Sequence, residues 1–335
     1  MSDEIVVSVL ICSQNRAEDL RGSLASIAAC QVPADLPTEL LMVDNASTDH
    51  TPQVIVECGI RNMQLRPLHE PRRGKSIAFN SALAKARGRI VLCTDDDVRV
   101  PANWIDGLCR PIFENKFDAV IGGVRLAAYL ERPWLKGMKR SWLAATDEYD
   151  QNATTLIGAN MAIARPVLDR LGGLDPELGP GALTAADDVL LSWQINEAGY
   201  RVSAALDVAV EHHLREDRLT RTAFLNRARL EGAQQAYLFH HWLHSRIRHS
   251  HLKLWKHRAQ LALWRLLRFP QTLAAEGAPD WELNLISAIA FHQRYLVEVT
   301  RPYNYARRGL RRVMPPPALP PRRELSQTHP VTEKA

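Results

Sequence analysis

Cysteine is scarce in this sequence and follows no pattern. Five of 335 residues are cysteine, Cys12, Cys30, Cys58, Cys93 and Cys109, all in the first third and with no CxxC pair. That distribution argues against a disulfide framework and against a zinc knot, and a reducing, cytoplasmic compartment is expected. A leader is not expected either. Acidic Asp3 and Glu4 precede the run Ile5-Val6-Val7-Ser8-Val9-Leu10-Ile11, which is too short and wrongly flanked for a signal peptide or a membrane span. Secretion is therefore not expected. Nor is there a charge imbalance large enough to imply nucleic acid, since 42 basic residues against 37 acidic ones leave a formal net charge of +5. At 46% hydrophobic and 24% charged, the chain has the material for one large or two modest cores.

The placement of the charge says more than its size. Arg246, Arg248, Lys253, Lys256, Arg258, Arg265 and Arg268 form one late basic group, and Arg301, Arg307, Arg308, Arg311, Arg312, Arg322 and Arg323 another. A basic C-terminal third suggests a surface that faces phosphates.

The first 120 residues have the rhythm of an α/β sheet. Residues 5–11 read as a buried strand, because nearly every position is apolar and mostly β-branched. The polar loop Ser13-Gln14-Asn15-Arg16 follows, and Leu20, Leu24 and Ile27 then form the apolar stripe of a helix over 17–29. Leu40 to Val43 is a second strand, ending in Asp44-Asn45-Ala46-Ser47-Thr48-Asp49. Pro67 makes the segment 65–68 an edge. Gly74-Lys75-Ser76 leads into a helix, and Arg89 to Cys93 is a strand that stops at Thr94-Asp95-Asp96-Asp97. Strands that all end in polar loops place ligands at their carboxyl ends in a parallel sheet. Another strand is expected over 119–124 and a helix over 187–198. From Thr220 the reading is largely helical, and the proline-rich remainder over 313–335 is expected to be disordered.

Four groups of residues carry chemistry. Asp95 and Asp97 can reach one face of a strand end while Asp96 points elsewhere, and such carboxylates suit Mg²⁺ or Mn²⁺ held together with substrate phosphates; a solvated acidic turn is the bland alternative. Asp44 either accepts from a base or ribose or caps the following helix. Lys75 reads equally as a phosphate contact and as a surface lysine. Asp187-Asp188 could cap an apolar helix or supply a carboxylate that takes the proton of an attacking hydroxyl. His212-His213, after the strand 208–210, are candidate metal ligands.

Together these segments resemble the inverting GT-A fold glycosyltransferases known as family 2. Val9 to Arg16 is similar to that family's first strand and "TYNR"-like loop, and Val43-Asp44-Asn45-Ala46-Ser47-Thr48-Asp49 to its "VDNxSxD" segment. Gly74-Lys75 through Asn80 is similar to "GxxxARN", with Ala78-Phe79 where Ala-Arg is usual. Asp95-Asp96-Asp97 matches the DxD, Gly158-Ala159-Asn160 the "GxN" strand, Gly172-Gly173-Leu174-Asp175 the "GGFD" turn, and Asp187-Asp188 the "ED" pair.

The resemblance covers about residues 5–240 and implies a Rossmann-like nucleotide-binding sheet with helices on both faces. It divides the chain into a domain over 1–215, with a nucleotide-sugar half (1–120) and an acceptor half (121–215), and a helical basic extension over 216–312. It implies Ser13, Asn15, Arg16, Asp44, Lys75, Asn80, Asp95 and Asp96 as donor contacts. The implied ligands of Mn²⁺ or Mg²⁺ are Asp97, Asp95 and His212, with His213 a substitute, and the general base is Asp188. The expected activity is inverting transfer of a sugar from a nucleoside diphosphate to a glycan or lipid-linked acceptor in surface polysaccharide or glycoconjugate synthesis, without nucleic acid. The basic helices add an expectation of peripheral contact with an anionic membrane at the inner face. A non-catalytic nucleotide-sugar-binding protein on the same scaffold would lose the acids that do chemistry. A sugar-phosphate nucleotidyltransferase would open with a glycine-rich loop, and Cys12 to Arg16 has no glycine.

Overall fold

The structure is a computed structural model that describes residues 4–182 and 186–315. Most of the proline-rich tail over 313–335 therefore lies outside the described residues. One mixed sheet organises the chain, in the order β3-β2-β1-β4-β7-β6-β8-β5. Its strands are β1 (Val7–Ser13), β2 (Thr38–Asp44), β3 (Gln64–His69), β4 (Ile90–Thr94), β5 (Val98–Arg99), β6 (Ala119–Leu126), β7 (Asn160–Ala164) and β8 (Val202–His212). Helices α1 (Ala17–Ala29), α2 (Thr51–Glu57), α3 (Lys75–Leu83), α4 (Trp104–Phe113), α5 (Met138–Ser141), α6 (Arg165–Leu171) and α7 (Asp187–Glu197) connect or flank them. Then come α8 (Arg221–His241), α9 (Ser250–Leu267) and α10 (Asp280–Glu298).

The β1, β2 and β4 strands are buried because their side chains are mostly apolar on both faces, and each finds a parallel neighbour. Leu20, Leu24 and Ile27 of α1 are at most 1% exposed, a burial that stabilises by about 2 kcal/mol for each side chain. Pro67 sits on β3, which is the edge that its missing N–H requires. The segment 208–210 is part of a longer strand than expected, the eleven-residue β8.

Two strands depart from a parallel Rossmann pattern, the short β5, antiparallel to β8, and β7. β7 runs antiparallel to β4 and β6, so its first residue, Asn160, lies beside Thr94 at the end of the sheet where β4 terminates. The register of β6 on β8 shifts between Gly122 and Gly123. Asn160 fills that irregularity: its Nδ2 donates to the carbonyls of Gly123 (2.8 Å) and Val208 (2.9 Å), and its Oδ1 accepts from Trp104 Nε1 (2.9 Å).

Beyond β8, α8 packs against α10, and α10 against α9. A buried polar knot ties this region to the sheet domain. Asp175, in the Gly-Gly-Leu-Asp turn, accepts from Tyr237 (2.6 Å), Tyr305 (2.7 Å) and Arg312 (2.6 Å), while Glu177 accepts from Arg301 (2.6 Å) and Asn304 (3.0 Å).

Candidate active site

The carboxyl ends of β1 and β4 and the end of β8 meet at an open cleft of about 360 Å³. Asp95, Asp96 and Asp97 form the turn that joins β4 to β5, and all three line the cleft. The short pairing of β5 with β8 sets Val98 opposite His212, and this brings a histidine 115 positions away in sequence onto Asp97. One ligand atom from each of Asp95, Asp97 and His212 lies within 4.8 Å of the others.

His212 is held in a fixed orientation. Its Nδ1 lies 3.1 Å from the Leu143 carbonyl, an acceptor only, so Nδ1 carries a proton. The Nε2 therefore faces Asp97 Oδ1 at 3.1 Å. A neutral ring would aim a lone pair at a carboxylate there, and the contact becomes attractive when a proton or a cation stands between them. Burial alone would lower the His212 pKa, but the hydrogen bond and charge of Asp97 raise it. Burial would likewise lift Asp97, yet His212 and Arg16 hold it well below the ordinary carboxylate range. Two hard carboxylate donors and one oriented imidazole fit a divalent ion such as Mn²⁺ or Mg²⁺.

Two basic side chains share the acids. Arg16 pairs with Asp97 and lies 3.5 Å from Asp96, and Lys75, at the start of α3, pairs with Asp95. Burial works against the charge of Lys75, but Asp95, Asp187 and Asp188 hold it protonated above its usual pKa. Asp96 points toward β1 and accepts from Ser13 Oγ at 2.6 Å. Its burial pushes its pKa up to about 7 against the pull of Arg16.

Asp187 and Asp188 open α7, and neither is its N-cap, which is Ala186 in a left-handed conformation (φ 72°). Asp188 accepts from the Gly158 backbone N–H (3.1 Å). Asp187 is raised to about 6, chiefly by burial and then by the neighbouring Asp188 charge, against which Lys75 acts. A smaller recess lined by Asp187, Asp188 and Gly158 adjoins the main cleft, and Cys12 and Lys75 line both. The DxD segment and the second acidic pair thus face a common lysine.

The other expected donor contacts divide. Ser13, Arg16, Lys75, Asp95 and Asp96 line the cleft. Asp44 does not: it is buried, with Oδ2 2.8 Å from His69 Nδ1 and Oδ1 accepting from the Ser47 N–H. It does not cap α2 either, whose N-cap is His50. The Asn15 amide oxygen accepts from the Thr48 N–H (2.7 Å), which joins two loops. Asn80 lies away from the main cleft, and its amide is taken up by the Leu174 backbone, donating to its carbonyl (2.7 Å) and accepting from its N–H (2.9 Å). Of the two histidines, His212 joins the acids, whereas the His213 ring packs near Tyr129 with centroids 5.9 Å apart.

Sequence reasoning passed over several residues of the cleft wall. Gln14, Asn45, Trp142, Leu143 and Arg218 line it as well. Arg218 forms no ion pair among the described residues, which leaves a cation facing the acidic cluster. It lies six residues beyond His212, past the boundary expected at 215, so the cleft draws on the segment after the sheet.

Residues 8–172 match the family model "Glycosyl transferase family 2". Among curated relatives, a probable glycosyltransferase, YdaM of Bacillus subtilis, is 24% identical over 58% of this chain and 48% of its own length. The beta-monoglucosyldiacylglycerol synthase of Synechocystis is 24% identical over 69% of this chain and 48% of its own. The chain thus spans about half the length of these two relatives. Among solved structures, the mannosyltransferase PcManGT from Pyrobaculum calidifontis, in complex with GDP-Man and Mn²⁺, superposes with a TM-score of 0.54 at 22% identity. That match covers 88% of this chain and 73% of the other, and it bears on the fold. With a GT-A sheet and a family match that runs from β1 to the Gly-Gly-Leu-Asp turn, residues 8–172 of the chain belong to glycosyl transferase family 2.

Proposed function

We propose that the protein is a divalent-metal-dependent inverting glycosyltransferase that moves a sugar from a nucleoside-diphosphate donor to a hydroxyl of a glycan or lipid-linked acceptor. The observation that carries this reading is the sharing of Lys75 between Asp95 of the metal-type cluster and the recess of Asp187 and Asp188. A non-catalytic binding protein would have no need of a second acidic recess beside the first.

Asp95, Asp97 and His212 would hold Mn²⁺ or Mg²⁺, which offsets the charge that builds on the departing diphosphate. The chain's own groups do the rest. Arg16 and Arg218, both on the cleft wall, supply cationic donors for phosphate oxygens. Asp188, held at the start of α7 by the Gly158 N–H, takes the proton of the acceptor hydroxyl as its oxygen attacks. Attack opposite the leaving diphosphate inverts the anomeric centre in one displacement, so no covalent sugar–enzyme adduct is required. Lys75 pairs with Asp95 and lies within reach of the charges of Asp187 and Asp188. The five free cysteines support a reducing, cytoplasmic site of action.

A screen of the purified full chain with Mn²⁺ against UDP-, GDP- and dTDP-sugars tests the reading. Binding or slow hydrolysis of one donor class, lost on chelation, is the expected result. No binding of any donor with Mn²⁺ or Mg²⁺ would overturn it.

A further inference from the structure

Helix α9 has two apolar faces, and among the described residues only one of them is covered by protein. Leu254 is buried and His257, Leu261 and Trp264 are half-buried on the side toward α10. On the opposite side Leu252, Trp255, Leu263 and Leu266 stand in solvent, 53 to 76% exposed. At 100° per residue these four, with Ala259, fall within an arc of about 80° centred opposite the packed stripe. Leu267, Phe269 and Leu273 continue the exposed apolar surface past the helix end. A soluble surface rarely gathers so much apolar area without a partner.

The flanks of the stripe identify the partner. Lys253 and Lys256 border it on one side and Arg258 on the other, and the Arg258 guanidinium lies over the Trp255 ring, 5.8 Å from its centroid. No aspartate or glutamate occurs from residue 242 to residue 275. A second copy of the chain docking symmetrically through this face would set the same cations against one another with no acid to neutralise them. An anionic lipid surface satisfies both features, since the apolar stripe enters the acyl boundary while lysine and arginine reach the headgroups. Tryptophan favours that boundary because its ring is apolar and its N–H polar. No described helix is long and apolar enough to cross a membrane, so a helix lying in the interface plane is the geometry available to α9.

We infer that the solvent-facing stripe of α9, bordered by Lys253, Lys256 and Arg258, is a docking surface for anionic lipid bilayers. This goes beyond the proposed transfer activity and does not depend on it.

The test is flotation of the full chain with vesicles of phosphatidylcholine alone and of phosphatidylcholine and phosphatidylglycerol in equal parts, at low and at high salt. The chain is expected to float with the anionic vesicles at low salt and to be released by high salt. Two variants separate the contributions. Trp255→Glu with Leu263→Glu and Leu266→Glu removes the apolar stripe, and Lys253→Gln with Lys256→Gln and Arg258→Gln removes the flanking charge. The charge variant should lower partition by about a hundredfold, and the stripe variant by at least as much, with thermal midpoints close to that of the parent. These side chains are exposed, so neither variant removes core packing. The inference is overturned if the parent stays unbound with both vesicle types, or binds neutral vesicles as well as anionic ones. It is also overturned if both variants float like the parent, or if the parent is a dimer in solution that the stripe variant dissociates, because the face would then belong to a second copy.

Discussion

Gly122 and Asn160 fit as socket and plug: the β-carbon that Gly122 lacks would lie 2.1 Å from Asn160 Nδ2. That amide bridges the carbonyls of Gly123 and Val208 and secures the irregular pairing of β6 with β8. Gly122→Ala should therefore displace Asn160 and destabilise the fold. Asn160→Ala strands two carbonyls and the Trp104 indole N–H in the core, at a cost of about 3 kcal/mol. Urea unfolding of both variants measures the effect, and a change within experimental error in Asn160→Ala would show that the bulge holds without its plug.

His212 reaches Asp97 only through the pairing of β5 with β8. Loss of the imidazole should weaken Mn²⁺ binding by about ten- to a hundredfold, and Asp97→Asn by at least that. Titration of bound Mn²⁺ by electron paramagnetic resonance on His212→Ala checks this. His213→Ala serves as the control and should bind as the parent does, because its ring lies outside the cluster.

Asp188→Asn keeps the size of the side chain and its place at the start of α7 while removing its basicity. Nucleotide binding should persist, and transfer should fall by about a hundredfold or more. Calorimetry for binding and product formation for turnover separate the two quantities. Undiminished turnover would assign the base elsewhere.

Acid should loosen the anchoring of α10. Glu298 is fully buried; burial alone would raise its pKa, but the His241 hydrogen bond (2.9 Å), Arg294 and Arg301 hold it down to about 2 from an ordinary 4.5. A depressed folded-state pKa means that the stabilisation is complete above about 4.5 and is lost as the pH falls toward 2. Stability followed by urea midpoint should decline over that window. In Glu298→Gln it should be lower at neutral pH and flatter across the window. An identical pH profile in parent and variant would remove Glu298 as the cause.

Local patterns were legible where the physics is local. Leu20, Leu24 and Ile27 announced α1 by spacing, and Pro67 announced an edge strand. Less was legible where a side chain's partner lies far along the chain. Nothing near Asn80 in the sequence announces that its amide is held by Leu174, 94 residues on. Of the two readings of Asp44, the helix cap falls because His50 caps α2, and the carboxylate meets His69 and the Ser47 N–H.

The sequence by itself determined which segments become strands and helices, and which carboxylates and histidines stand at their ends, because burial and periodicity act over a few neighbouring residues. The tertiary structure decided which of those ends meet. The reversal of β7, the pairing of Val98 with His212 and the reach of Lys75 between two acidic recesses are set by strand order, as is the entry of Arg218 into the cleft. Strand order follows from the packing of the whole sheet, and no window of sequence contains it.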